Sequence, residues 1–151
     1  MTPGSARVLG CDYGGRRIGL AVSDPTGLIA FPLPTVEAAT PKEAARRVAA
    51  AAAEAEAGLI VVGLPLLLSG EKGEQALRTE EFVELLKARF EGQVRTWDER
   101  LTSAQSERVL RELAGERRGR RPPPRKGRVD QVAATLLLQS FLDSEKSRGG
   151  A

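Results

Sequence analysis

Histidine is absent from the 151 residues, and cysteine occurs once, at Cys11. The first absence removes a Ser-His-Asp triad, a Cys-His pair, a His-ligated zinc and a histidine general base. The second removes an intramolecular disulfide and any cysteine-cluster zinc site, and points to a reducing compartment. No run approaches the roughly 20 apolar residues that cross a bilayer, and residues 1–5 lack the basic start and apolar middle of a secretory signal, so a cytoplasmic location is expected. Chemistry in this chain must therefore run on carboxylates, hydroxyls, lysine, arginine or a hard metal ion.

What is present suits one globular domain over residues 1–151, with 41% hydrophobic and 28% charged residues. The net charge is only +3, yet residues 115–128 hold seven basic residues against one acid, and the rest of the chain sums to −3. A single short segment thus carries the positive charge, as expected for contact with a polyanion.

Residues 7–12 and 17–23 read as strands joined by the turn Tyr13-Gly14-Gly15-Arg16. After Asp24-Pro25-Thr26-Gly27, residues 28–36 read as a third strand. Pro32 and Pro34 remove two ladder donors and so assign it to a sheet edge. Thr40-Pro41-Lys42-Glu43 is a capping box with proline at the first helical position, opening an alanine-rich helix to about Ala57 with Gly58 as its stop. The continuous apolar run 59–63 predicts an interior strand. A loop over 66–73, a helix over 74–90 with Leu77, Phe82, Leu85, Leu86 and Phe90 as its apolar positions, and a strand over 94–98 follow. A helix over 102–113 comes next, then a mobile basic loop over 115–128 broken by Pro122-Pro123-Pro124. A last helix over 129–142, with Val132, Leu136 and Leu137 as its packing face, ends in a frayed tail over 144–151. Hairpin-linked strands ahead of alternating helix and strand predict an α/β fold with a mixed five-stranded sheet, three antiparallel strands then parallel ones, flanked by helices on both faces.

Asp12 ends the first strand, Asp98 and Glu99 end the last, and Asp130 opens the final helix. Carboxyl ends of strands are where open α/β sheets place ligands. If the first and last strands are neighbours, Asp12 meets the Asp98/Glu99 pair at one edge and Asp130 can close over them. Such an oxygen-only cage suits Mg²⁺ or Mn²⁺, because clustered acids repel one another unless a cation fills the site. Solvated or helix-capping acids are the competing reading of each residue.

The stretch Gly10-Cys11-Asp12-Tyr13-Gly14-Gly15-Arg16-Arg17-Ile18-Gly19-Leu20-Ala21-Val22-Ser23-Asp24 resembles the opening signature of the YqgF/RuvX family of Holliday-junction resolvases and pre-16S ribosomal RNA nucleases. Three further blocks agree in order and spacing: Ile60-Val61-Val62-Gly63-Leu64-Pro65 with the loop to Gly73; Trp97-Asp98-Glu99-Arg100-Leu101-Thr102-Ser103; and Lys126 to Asp130 followed by Gln131-Val132-Ala133-Ala134. One departure stands at Leu67 and Leu68, where the family usually shows a methionine and a polar residue. The resemblance implies a ribonuclease H-like fold and a divalent-metal nuclease site at the matching positions Asp12, Glu99 and Asp130, which selects Glu99 over Asp98 as the ligand, with two Mg²⁺ or Mn²⁺ ions as cofactors.

Nucleic acid, as branched DNA or structured RNA, is the expected partner. Arg16 and Arg17 at the glycine turn, Arg100, and Thr102 at a helix start are candidate phosphate contacts, although a plain hairpin and simple helix capping also account for them. Arg117, Arg118, Arg120, Arg121, Arg125, Lys126 and Arg128 form an anion-binding arm directly before Asp130, with Lys126 the leading single contact. Trp97 reads as core or pocket wall rather than as a base-stacking platform. A resolvase acting on a near two-fold junction needs a homodimer, whereas RNA trimming does not. The alternative function is a non-catalytic nucleic-acid-binding or ribosome-associated module that keeps the fold but holds metal too weakly to cut.

Overall fold

The computed structural model describes residues 7–67, 69–98 and 126–149; over 126–130 and 148–149 it describes the course of the backbone alone. The expected helix over 102–113 and most of the basic segment lie outside the described residues. Five strands, β1 (Arg7–Tyr13), β2 (Arg17–Ser23), β3 (Ala30–Glu37), β4 (Ala57–Leu64) and β5 (Gln93–Asp98), form one sheet in the order β3-β2-β1-β4-β5. The first three pair antiparallel, and β1, β4 and β5 pair parallel. Helices α1 (Pro41–Glu54) and α2 (Glu74–Lys87) cover one face, and α3 (Lys126–Gly149) covers the other.

Local chemistry accounts for most of these elements. Gly14 N–H donates to the Arg17 carbonyl at 2.9 Å, and Gly15 takes φ +89°, so the glycine pair closes the β1–β2 hairpin. Thr40 Oγ1 accepts from Glu43 N–H at 3.1 Å, and the Glu43 carboxylate reaches back to Ala39 N–H at 2.9 Å, starting α1 as the capping box requires. β3 lies at the sheet edge, in keeping with Pro32 and Pro34. Its first N–H, on Ala30, donates to the Gln139 side chain of α3.

Each sheet face has its own core. Leu9, Cys11, Ile18, Leu20, Val48, Ile60, Val62, Phe82 and Leu86 are buried between the sheet and α1/α2. Ala21, Val61, Ala134, Leu138, Phe141 and Leu142 are buried beneath α3. Because side chains alternate along a strand, Val61 and Val62 feed opposite cores, which explains the unbroken apolar run of β4.

Several boundaries differ from the sequence reading. α1 stops at Glu54, and the reversal is made by Glu56 at φ 59° rather than by Gly58, which already belongs to β4. Pairing of Ala57 with Arg7 holds the chain extended from that point. α2 ends at Lys87, and its buried stripe is Ala76, Thr79, Phe82, Val83 and Leu86, leaving Leu77 57% exposed. α3 runs from Lys126 to Gly149, beyond the predicted 129–142 at both ends. The last three residues of the basic segment and most of the expected tail are therefore helical. The packing face of α3 falls on Ala134, Leu137, Leu138, Phe141 and Leu142, and Val132 and Leu136 are only partly buried. No described helix is long and apolar enough to cross a membrane.

Candidate active site

The first and last strands are not neighbours: β4 stands between β1 and β5. The expected adjacency of Asp12 and the end of β5 is thus corrected: a central strand separates the two strand ends, by about 10 Å at backbone level. β4 takes that place because its side chains are apolar on both faces and need cover that an edge position lacks.

Strand register then decides which acids share a face. Cys11 pairs with Val62, so Asp12 comes level with Gly63, which pairs in turn with Trp97. Leu9, Cys11 and Tyr13 face α1 and α2, which turns Gly10 and Asp12 toward α3. Val61 and Trp97 also face α3, where the Trp97 ring meets Phe141 edge-on at 5.5 Å and its indole N–H donates to Ser140 Oγ at 3.3 Å. Asp98 has the opposite parity and belongs to the other face. Asp12 is partly buried, and Gly63 beside it carries no side chain.

α3 crosses this face in a defined direction. Along β5 from Arg95 to Trp97, the α3 partners run backwards from Glu145 to Ser140. Along β3 from Ala30 to Leu33, they run from Gln139 to Gln131. β3 and β5 both run parallel to β1, so α3 is antiparallel to β1 and its N-terminal turns lie toward the strand's Asp12 end. Position 130 stands one helical turn before Ala134, the buried residue whose backbone lies near Gly10.

Tyr13 fixes the opposite side of the same strand end. Its ring stacks on Phe82 of α2, and burial, with Glu81 nearby, raises its hydroxyl pKa so that the phenol stays neutral. The Gln75 side-chain amide donates to the Tyr13 carbonyl. Arg16 is exposed and Arg17 partly buried in the turn just beyond, at the same end of the sheet as Asp12.

Of the other predicted site residues, Glu99, Arg100, Thr102, Arg117, Arg118, Arg120, Arg121 and Arg125 lie outside the described residues, and Lys126, Arg128 and Asp130 are placed by the helix backbone alone. Among the described residues no three potential metal ligands gather. Sequence reading missed two neighbours of Asp12: Gly63, level with it on β4 and without a side chain, and Gly10, where α3 comes close. Both are small residues inside apolar runs, and only the pairing register reveals their place. The donor chemistry nevertheless fits a hard cation, since Asp12 offers oxygen, no histidine exists, and the sole cysteine is buried on the other face.

A central acidic residue on such a mixed sheet, crossed by an antiparallel helix, belongs to the α/β proteins of ribonuclease H-like fold. Two solved structures share that fold: Thermus thermophilus RuvC in complex with a Holliday junction substrate, with TM-score 0.59 and 18% identity over 97% of both chains, and the fowlpox virus resolvase with its junction DNA, with TM-score 0.54 and 14% identity over 92% of this chain and 98% of that one. The family described as "RuvX: Holliday junction resolvase" matches residues 6–144, and the chain belongs to this family. Relatives named "Putative pre-16S rRNA nuclease" include one from Chloroflexus aggregans, 43% identical over 93% of this chain and 95% of its own, and one from Thermoanaerobacter pseudethanolicus, 40% identical over 94% and 99%.

Proposed function

We propose that the chain is a divalent-metal-dependent endonuclease that hydrolyses phosphodiester bonds in structured nucleic acid. Asp12, Glu99 and Asp130 hold two Mg²⁺ or Mn²⁺ ions at the carboxyl end of the sheet. The observation that carries the reading is the antiparallel course of α3 over β1, which sends the backbone of position 130 toward the Asp12 end of the strand. Parity supports Glu99 over Asp98: a strand alternates with period two, and Asp12 shares its face with Trp97 rather than Asp98. Glutamate also reaches one methylene further than aspartate, which suits a ligand arriving from two strands away.

Bound by these three carboxylates, divalent ions would supply Lewis-acid activation of water and neutralisation of the charge on the leaving oxygen. The chain's own side chains position the substrate. Arg16 and Arg17 sit at the rim beyond Asp12, where guanidinium groups can grip phosphate oxygens. Arg100, Thr102, Arg117, Arg118, Arg120, Arg121, Arg125, Lys126 and Arg128 add contacts to the nucleic-acid backbone, with affinity that falls as salt rises. RNA is the favoured substrate, supported by relatives at 40% identity and above whose names describe them as pre-16S rRNA nucleases, and the cytoplasm is the expected location. Four-way DNA is the second reading, supported by the family's description and requiring a homodimer for paired cuts.

The test compares wild type with Asp12→Asn on structured RNA, junction DNA and duplex DNA, each with Mg²⁺ and Mn²⁺. Wild type is expected to cut RNA or junctions, and Asp12→Asn to bind them without cutting. Equal cleavage by the variant overturns the assigned site. A folded wild type with no saturable Mn²⁺ binding and no cleavage supports a binding module instead.

A further inference from the structure

We propose that Gly10 is a positioning residue, setting the distance between β1 and α3 and thereby between Asp12 and Asp130; the inference rests on the metal site proposed above. A Cβ at position 10 would lie 2.7 Å from Leu138 Cβ and 3.4 Å from the Ala134 carbonyl oxygen. Leu138 Cβ is fixed to the helix backbone and cannot swing aside as the end of a long side chain can. Even an added methyl group therefore requires α3 itself to move. Ordinary contact begins near 3.4 Å, so the retreat is roughly 0.7 Å or more.

That contact lies close to the site. Asp12 is two residues further along β1, about 6.7 Å, and position 130 is one turn, about 6 Å, before Ala134 in the opposite chain direction. A shift of α3 at Gly10 is therefore passed to position 130 with little room for relaxation. Metal coordination tolerates about 0.2 Å in ligand distance, several times less than the expected shift. The other contacts of α3, including the Ala21, Val61 and Phe141 packing and the Gln131 and Gln139 hydrogen bonds, hold its course but do not set this closest approach.

The full chain supplies its own reporter, because Trp97 is its one tryptophan and donates to Ser140 on α3. Gly10→Ala is compared with Leu142→Ala, which loosens α3 near its other end without adding an atom over β1. Gly10→Ala is expected to shift Trp97 emission, weaken Mn²⁺ binding by about tenfold or more and lower kcat by a similar factor, while KM for nucleic acid changes less than about threefold. Leu142→Ala is expected to lower Tm but leave Mn²⁺ affinity and kcat within about threefold of wild type. If Gly10→Ala does not fold, Leu138→Ile presses a branched Cβ against Gly10 from the helix side and is expected to change the same readouts in the same direction by smaller factors. Unchanged Mn²⁺ affinity in the folded Gly10 variant, or an equal loss in Leu142→Ala, overturns the role of Gly10 while the site reading stands. Absence of saturable Mn²⁺ binding in wild type overturns the site reading and the role together.

Discussion

Tyr13 and Phe82 stack face to face, with ring centroids 4.2 Å apart and planes within 5° of parallel. The pair joins the end of β1, directly after Asp12, to the middle of α2. Phe82 is fully buried, so Phe82→Ala removes both the stack and a large part of the core beneath α2. The expected loss is about 3–5 kcal/mol of unfolding free energy. Urea denaturation followed by circular dichroism measures it, and a loss below 1 kcal/mol contradicts the packing described.

Asp98 lies on the sheet face opposite Asp12, and the proposed site uses the adjacent Glu99 instead. Asp98→Asn is expected to leave cleavage within about threefold of wild type, whereas Glu99→Gln and Asp130→Asn lose it by a factor of about 100 or more. Single-turnover cleavage at saturating Mn²⁺ checks this order. The reverse order, with Asp98 essential and Glu99 dispensable, places the site on the wrong face of the sheet.

Two carboxylates link folding to pH. Asp24 accepts N–H groups of Thr26, Leu28 and Ile29 and the Thr26 hydroxyl, and these bonds, led by the hydroxyl, hold its pKa well below the ordinary 3.8. Glu43 is lowered from 4.5, chiefly by the Ala39 N–H. A depressed folded-state pKa means that the stabilisation is present above the unfolded value and disappears as pH falls through the folded one. Thermal stability is therefore expected to drop below about pH 4.5, with a smaller drop in Asp24→Asn. Melting curves between neutral pH and strong acid give the comparison, and identical acid profiles contradict the linkage.

Salt dependence measures the basic arm. Replacing Arg118 and Arg120 together by glutamine is expected to weaken nucleic-acid binding and to reduce the slope of log K against log salt by about 1.4–1.8. Binding isotherms for Asp12→Asn and for the same variant with both arginines replaced, across a range of KCl concentrations, report the slope without cleavage of the ligand. An unchanged slope removes these two residues from the interface.

Much of the architecture was legible in the chain because its signals are local. The capping box at Thr40 to Glu43 starts α1, the Gly14-Gly15 pair closes the first hairpin, and Pro32 with Pro34 marks β3 as an edge. The all-apolar β4 announced an interior strand for the same reason, since both its faces need cover. Helix ends were less legible. Glu56 reverses the chain after α1 because strand pairing overrides the intrinsic preference of Gly58, and α3 continues through polar residues that can face water.

By itself the sequence determined the chemistry open to this protein: without histidine and with one cysteine, only oxygen ligands and cationic side chains remain for a site. It also determined the strands, turns and family, because those reside in neighbouring residues and ordered blocks. Tertiary structure alone decided that β4 separates β1 from β5, that Asp12 and Asp98 belong to opposite faces, and that α3 approaches β1 at Gly10. Those relations depend on pairing register and on contact between segments more than 100 residues apart, distances along the chain over which local propensity carries no information.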